Sequence, residues 1–130
     1  MKKGIRKMIS IIMVACLVTS FSITALAASG SFSKKTIQTT GGYQVFGKTT
    51  LSKSDDVSIT QTYAKISGTS TNATVRYALT RTADGLAVGS AYIKGADSGD
   101  VSPWYNNVSV KLLAYSDESS AAVVSASWSY

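Results

Sequence analysis

The sequence predicts an all-β domain, a small antiparallel β-sandwich of about seven strands preceded by a cleaved signal peptide, with a small closed barrel as the alternative. Three observations predict it. Ser and Thr make up 30 of the 103 residues from Ala28 to Tyr130 and alternate with Val, Ile, Leu, Tyr and Trp, the period of half-buried strands. Turn signals rich in Gly, Asp and Ser interrupt the alternation at intervals of about a dozen residues. No window beyond residue 27 carries an apolar stripe at helical spacing.

Residues 1–27 have the three parts of a secretory leader. Lys2, Lys3, Arg6 and Lys7 form a basic start, Met8 to Val18 an apolar stretch, and Ala25-Leu26-Ala27 the small-x-small pattern that a signal peptidase accepts. Cleavage is expected after Ala27, leaving residues 28–130 as a single all-β domain. The leader resembles those of Gram-positive bacteria, so the expected location is outside such a cell. Val14-Ala15-Cys16 resembles the end of a lipobox, and lipidation of Cys16 is the competing outcome. Ser10, Thr19, Ser20, Ser22 and Thr24 weigh against a retained membrane anchor. With no hydrophobic tail, sorting motif or basic tail at the C-terminus, the mature chain is expected to be released, or held to a surface without a covalent anchor.

The strands follow in order. Weaker alternating runs lie near 31–39 and 43–51, and Gly41-Gly42 between them fits a tight hairpin because glycine reaches positive φ without steric cost. In the next run Val57, Ile59 and Tyr63 are expected on one face. Val75, Tyr77 and Leu79 alternate with Thr74, Arg76 and Thr80, and Asp84-Gly85 then turns the chain into a run near 86–94. Gly95 to Asn107, with the single proline Pro103, is the longest expected gap. Val108, Val110, Leu112 and Ala114 oppose Ser109, Lys111 and Leu113. Finally Ala122, Val124, Ala126, Trp128 and Tyr130 oppose Val123, Ser125, Ser127 and Ser129. That ending resembles the last strand of bacterial outer-membrane barrels. Eight strands of about nine to eleven residues would consume nearly the whole mature chain, so a membrane-spanning mature chain is not expected.

Composition closes off several chemistries. The formal charge of +6 comes largely from the leader; beyond residue 27, nine basic residues face seven acidic ones. Those basic residues are scattered among acids, which predicts a solvated surface and no nucleic-acid groove. There is no His, and Cys16 and all three Met lie in the leader, so the mature chain lacks disulfides, imidazole bases and thiol nucleophiles. Glu118 is the only glutamate, and Asp55, Asp56, Asp84, Asp97, Asp100 and Asp117 are all expected in turns. No pair stands out as the cleft-facing carboxylates of a glycosidase, and no enzyme activity is expected.

Two segments remain as candidate sites. Asp97-Ser98-Gly99-Asp100 places two carboxylates around a glycine turn and is a candidate calcium site, against the plainer reading of a solvated acidic turn. No other cofactor is expected. Pro103-Trp104-Tyr105-Asn106-Asn107 places two aromatic faces beside two amides, so Trp104, Tyr105, Asn106 and Asn107 are the candidate binding residues for a glycan, a cell wall or a protein at a cell surface. The competing place for Trp104 is as a plug over one end of the sandwich. The expected role is binding or surface presentation. The alternatives are a bacteriocin-like or toxin-like effector and a self-assembling matrix protein, the latter suggested by the Ser/Thr-rich strands.

Overall fold

The computed structural model describes residues 27–130; residues 1–26 of the expected leader, Cys16 and Ala25 among them, lie outside the described residues. Eight strands form: β1 (Ser29–Ile37), β2 (Tyr43–Leu51), β3 (Val57–Ile66), β4 (Thr74–Arg81), β5 (Ala87–Lys94), β6 (Ser98–Val101), β7 (Val108–Ser116) and β8 (Ala122–Ser129). They make two four-stranded sheets, ordered β1-β8-β3-β6 (sheet I) and β2-β7-β4-β5 (sheet II), with every pairing antiparallel. This is a sandwich architecture, and the eighth strand is the short edge strand β6, which occupies part of the expected long gap.

Alternation explains why the sheets face each other. Along β7 the buried residues are Val108, Val110, Leu112 and Ala114, with Lys111 and Leu113 half-buried on the other face. Along β4 the inner residues are Val75, Tyr77 and Leu79, and along β8 they are Ala122, Val124 and Ala126. These side chains form one apolar core with Ile37, Leu51, Ile59 and Ile93. Burial of this kind is the main favourable term in a chain without disulfides.

Two expectations need correction. Gly41 and Gly42 do adopt positive φ (84° and 59°), but they do not close a hairpin. β1 pairs with β8 and β2 with β7, so the turn carries the chain from one sheet to the other. The Asp84-Gly85 turn, by contrast, joins the neighbouring strands β4 and β5. In β3 the inward series is Val57, Ile59, Gln61 and Ala64 rather than one ending at Tyr63. The ladder to β8 shifts register between Gln61 and Tyr63, and one inserted residue reverses which face each later side chain meets.

Gln61 is thus an amide in the core, and the fold satisfies it completely. Its Nε2 donates to Ile93 O at 3.1 Å and Gly95 O at 2.8 Å, and its Oε1 accepts from Tyr77 Oη at 2.7 Å. The network ties β3 of sheet I to β4 and β5 of sheet II. Burial pushes the Tyr77 phenol well above its ordinary pKa.

Candidate functional site

Register brings three connections to one end of the sandwich: Ser52–Asp56 (β2 to β3), Thr82–Leu86 (β4 to β5) and Ser102–Asn107 (β6 to β7). The third crosses from sheet I to sheet II and carries the aromatic pair. It is fastened at several points. Trp104 N donates to Val88 O at 2.7 Å, Lys53 N to Asn106 Oδ1 at 3.1 Å, and Asn107 N to Ser52 Oγ at 2.9 Å. Ser102 Oγ donates to the Asp56 carboxylate. Gly89 allows the close approach, since a Cβ there would lie 2.5 Å from Ser102 O.

On this fastened loop Trp104 is 54% exposed and Tyr105 55% exposed. Trp104 is therefore not the core plug that competed with the binding reading; Pro103, buried beside it, fills that role in part. Tyr105, Asn106 and Asn107 line a depression of about 380 Å³ with Arg81, Thr82 and Ser109. Arg81 pairs with Asp84 at 2.5 Å. The Arg81 hydrogen bond and the Leu86 backbone N–H hold the Asp84 carboxyl below its ordinary pKa.

The two asparagines divide their work differently from the expectation. Asn106 already spends Oδ1 on Lys53 N, leaving its amide hydrogens as the free polar group. Asn107 takes a left-handed φ of 51° to bring the chain into β7, a conformation that Asn tolerates better than most residues. Both are parts of the loop's framework as well as neighbours of the aromatics.

The acidic segment is not the expected turn. Ser98–Val101 is the edge strand β6, paired with β3 through Ser58↔Asp100 and Thr60↔Ser98. Asp97, just before it, accepts from Ser98 N at 2.8 Å and through its backbone oxygen from Gln61 N. An extended strand spreads positions three apart over about 10 Å and aims them at opposite faces, so Asp97 and Asp100 do not converge on one cation. Among the described residues no group of three or more His, Cys, Asp or Glu side chains is placed to hold a metal.

Two outer faces carry patterns that single-strand reading missed. On sheet I, register aligns Ser29, Ser129, Ser58 and Asp100 in one transverse row and Ser31, Ser127, Thr60 and Ser98 in the next. All eight are exposed, and most of them line a depression of about 480 Å³. On sheet II, Tyr115, Arg76 and Tyr92 form a row across β7, β4 and β5. Only strand pairing reveals either row; in sequence the paired neighbours lie 16 to 100 positions apart, with nothing local to link them.

Comparison with family models, with curated proteins and with solved structures finds no match for this chain. Among the described residues no helix is long and apolar enough to cross a membrane.

Proposed function

We propose that residues 28–130 form a secreted, non-catalytic module, released by cleavage after Ala27, that holds a glycan or another cell-surface ligand with Trp104 and Tyr105. One observation carries the reading: two large aromatics, each more than half exposed, sit on a loop fastened by backbone hydrogen bonds. A fastened loop does not collapse the rings onto the core, and rings held in place before binding lose little entropy on contact. Flat aromatic faces stack on sugar rings, and the free amide hydrogens of Asn106 suit hydroxyl acceptors. The hydroxyl rows of sheet I have a simpler cause, since the solvent face of an antiparallel sheet must be polar.

The carboxylates support a non-catalytic role. Asp55 caps Ser52 N, Asp56 accepts from Ser102, Asp84 is paired with Arg81, Asp97 caps Ser98 N, and Glu118 accepts from Thr74 N at 2.8 Å. Each shapes a turn or a strand end. Self-assembly draws less support, because the sheet edges are guarded. The β1, β2 and β5 ladders are interrupted by register shifts, and β6 has only four residues, one of them Asp100.

Tryptophan fluorescence tests the site. With Trp128→Phe, Trp104 becomes the sole tryptophan of the mature chain. Titration with soluble cell-wall oligosaccharides is expected to shift its emission to the blue as the indole leaves water. Emission unmoved by a ligand that binds the protein would place the contact away from Trp104.

A further inference from the structure

We infer that the outer face of sheet II, at Arg76 and Tyr92, is a second binding site, and that it takes a carboxylated polysaccharide. The inference stands on a different face from the loop and does not depend on it. Arg76 lies directly opposite Tyr115 on β7 and Tyr92 on β5. Its guanidinium carbon sits 4.4 Å from the Tyr115 ring centroid, a cation–π contact that fixes the side chain across the sheet. Tyr115 is itself backed by the β1–β2 turn, where a Cβ on Gly42 would come within 2.9 Å of the ring. On the other side of Arg76, Tyr92 is 60% exposed and its ring is free.

The guanidinium held over Tyr115 has no acidic partner. Among the described residues the one ion pair is Arg81–Asp84. The other charged side chains on the outward positions of β4, β5 and β7 are Lys94 and Lys111, both cationic. Of the acids just beyond β7, Asp117 donates its backbone N–H to Thr74 O and Glu118 accepts from Thr74 N, and neither pairs with Arg76. Charge complementarity therefore asks for an anion. The planar fork of Arg76 matches a carboxylate through two parallel hydrogen bonds, and the neighbouring Tyr92 ring, one strand away at about 4.8 Å, offers a stacking face for the pyranose that bears it.

The small number of cations separates this face from a phosphate-binding groove. Lys94 on β5, opposite Thr74, lies two positions along and one strand across from Arg76, about 8 Å between backbone positions, which suits a chain with one charge per sugar or per pair of sugars. Nucleic-acid affinity comes from neutralising many successive phosphates, and the three dispersed cations of this face offer few such contacts.

Affinity electrophoresis of residues 28–130 through polygalacturonate tests the site, with fully methyl-esterified polygalacturonate, neutral dextran, single-stranded DNA and polyphosphate as parallel gels. Retardation by polygalacturonate is expected, at least about tenfold weaker for the ester, because a charge-assisted bond is lost. Arg76→Gln and Tyr92→Ala are each expected to weaken retardation about tenfold with an unchanged circular dichroism spectrum, and Arg76→Lys is expected not to restore it. No retardation by polygalacturonate would overturn the inference, as would equal retardation by the ester or by dextran. Stronger retardation by DNA or polyphosphate would overturn the choice of polymer. Loss with Trp104→Ala but not with Arg76→Gln would return the polymer to the loop and overturn the second site.

Discussion

Trp104 and Trp128 have the same side chain and opposite duties. Trp128 packs at a tilt against Phe46, 5.0 Å between centroids, stacks on Tyr130 at 5.8 Å, and lies over Gly30, where a Cβ would meet its ring at 2.7 Å. Urea denaturation is expected to show Trp128→Ala costing about 2 kcal/mol or more, roughly half the loss for a fully buried tryptophan, while Trp104→Ala stays within about 0.5 kcal/mol. The buried amide makes a second residue-scale prediction. Gln61→Leu keeps the volume but strands Tyr77 Oη, Ile93 O and Gly95 O, and is expected to cost about 2 kcal/mol or more. The Tyr77 phenol binds its proton more tightly folded than unfolded, so its contribution is complete below the unfolded pKa near 10 and falls as pH rises above it. Melting curves above pH 10 are therefore expected to fall more steeply for the parent chain than for Tyr77→Phe; parallel curves would remove the phenol as the cause. The alternating positions of β4, β7 and β8 were legible in the sequence because one side-chain period governs them from end to end. Gln61 keeps the period of Val57 and Ile59, but an amide gives no apolar signal and its partners lie on β4 and around the end of β5. The bulge after it, which turns Tyr63 away, depends on β8, some sixty residues on.

At the scale of elements, the loops owe their positions to strands that the sequence separates widely. Seven of the eight strands could be read from alternation and turn chemistry. β6 could not, since Ser98-Gly99-Asp100-Val101 has the composition of a turn and becomes a strand only by pairing with β3. The Gly41-Gly42 turn could be recognised by its glycines but not by its partners, because a local signal cannot tell a hairpin from a crossover. The aromatic loop shows the same limit in reverse: its residues were evident, and its fastening to Ser52, Lys53 and Val88 was not. Gly89→Ala tests that fastening. The new methyl would meet Ser102 O at 2.5 Å, a backbone atom that must move. A loss of about 1–3 kcal/mol is expected from denaturant unfolding, the range for overpacking, together with weaker ligand retention because the loop shifts. Unchanged stability and retention would show that β5 does not position the loop.

For the whole molecule, two sheets joined mostly by crossovers leave one end free for three loops and two broad faces for solvent. The sandwich core, the Gln61 network and the guarded edges favour a single folded body that presents surfaces rather than a cleft. The central claim is that the fastened aromatics hold the ligand, and retention on insoluble cell wall measures it most directly. Residues 28–130 and a Trp104→Ala/Tyr105→Ala variant, matched in melting temperature, would be sedimented with purified cell-wall material and the bound fractions compared. The parent chain is expected in the pellet and the variant in the supernatant, a drop in affinity of at least about tenfold, as expected for the loss of two stacking anchors. Equal sedimentation of the two folded proteins would contradict the account.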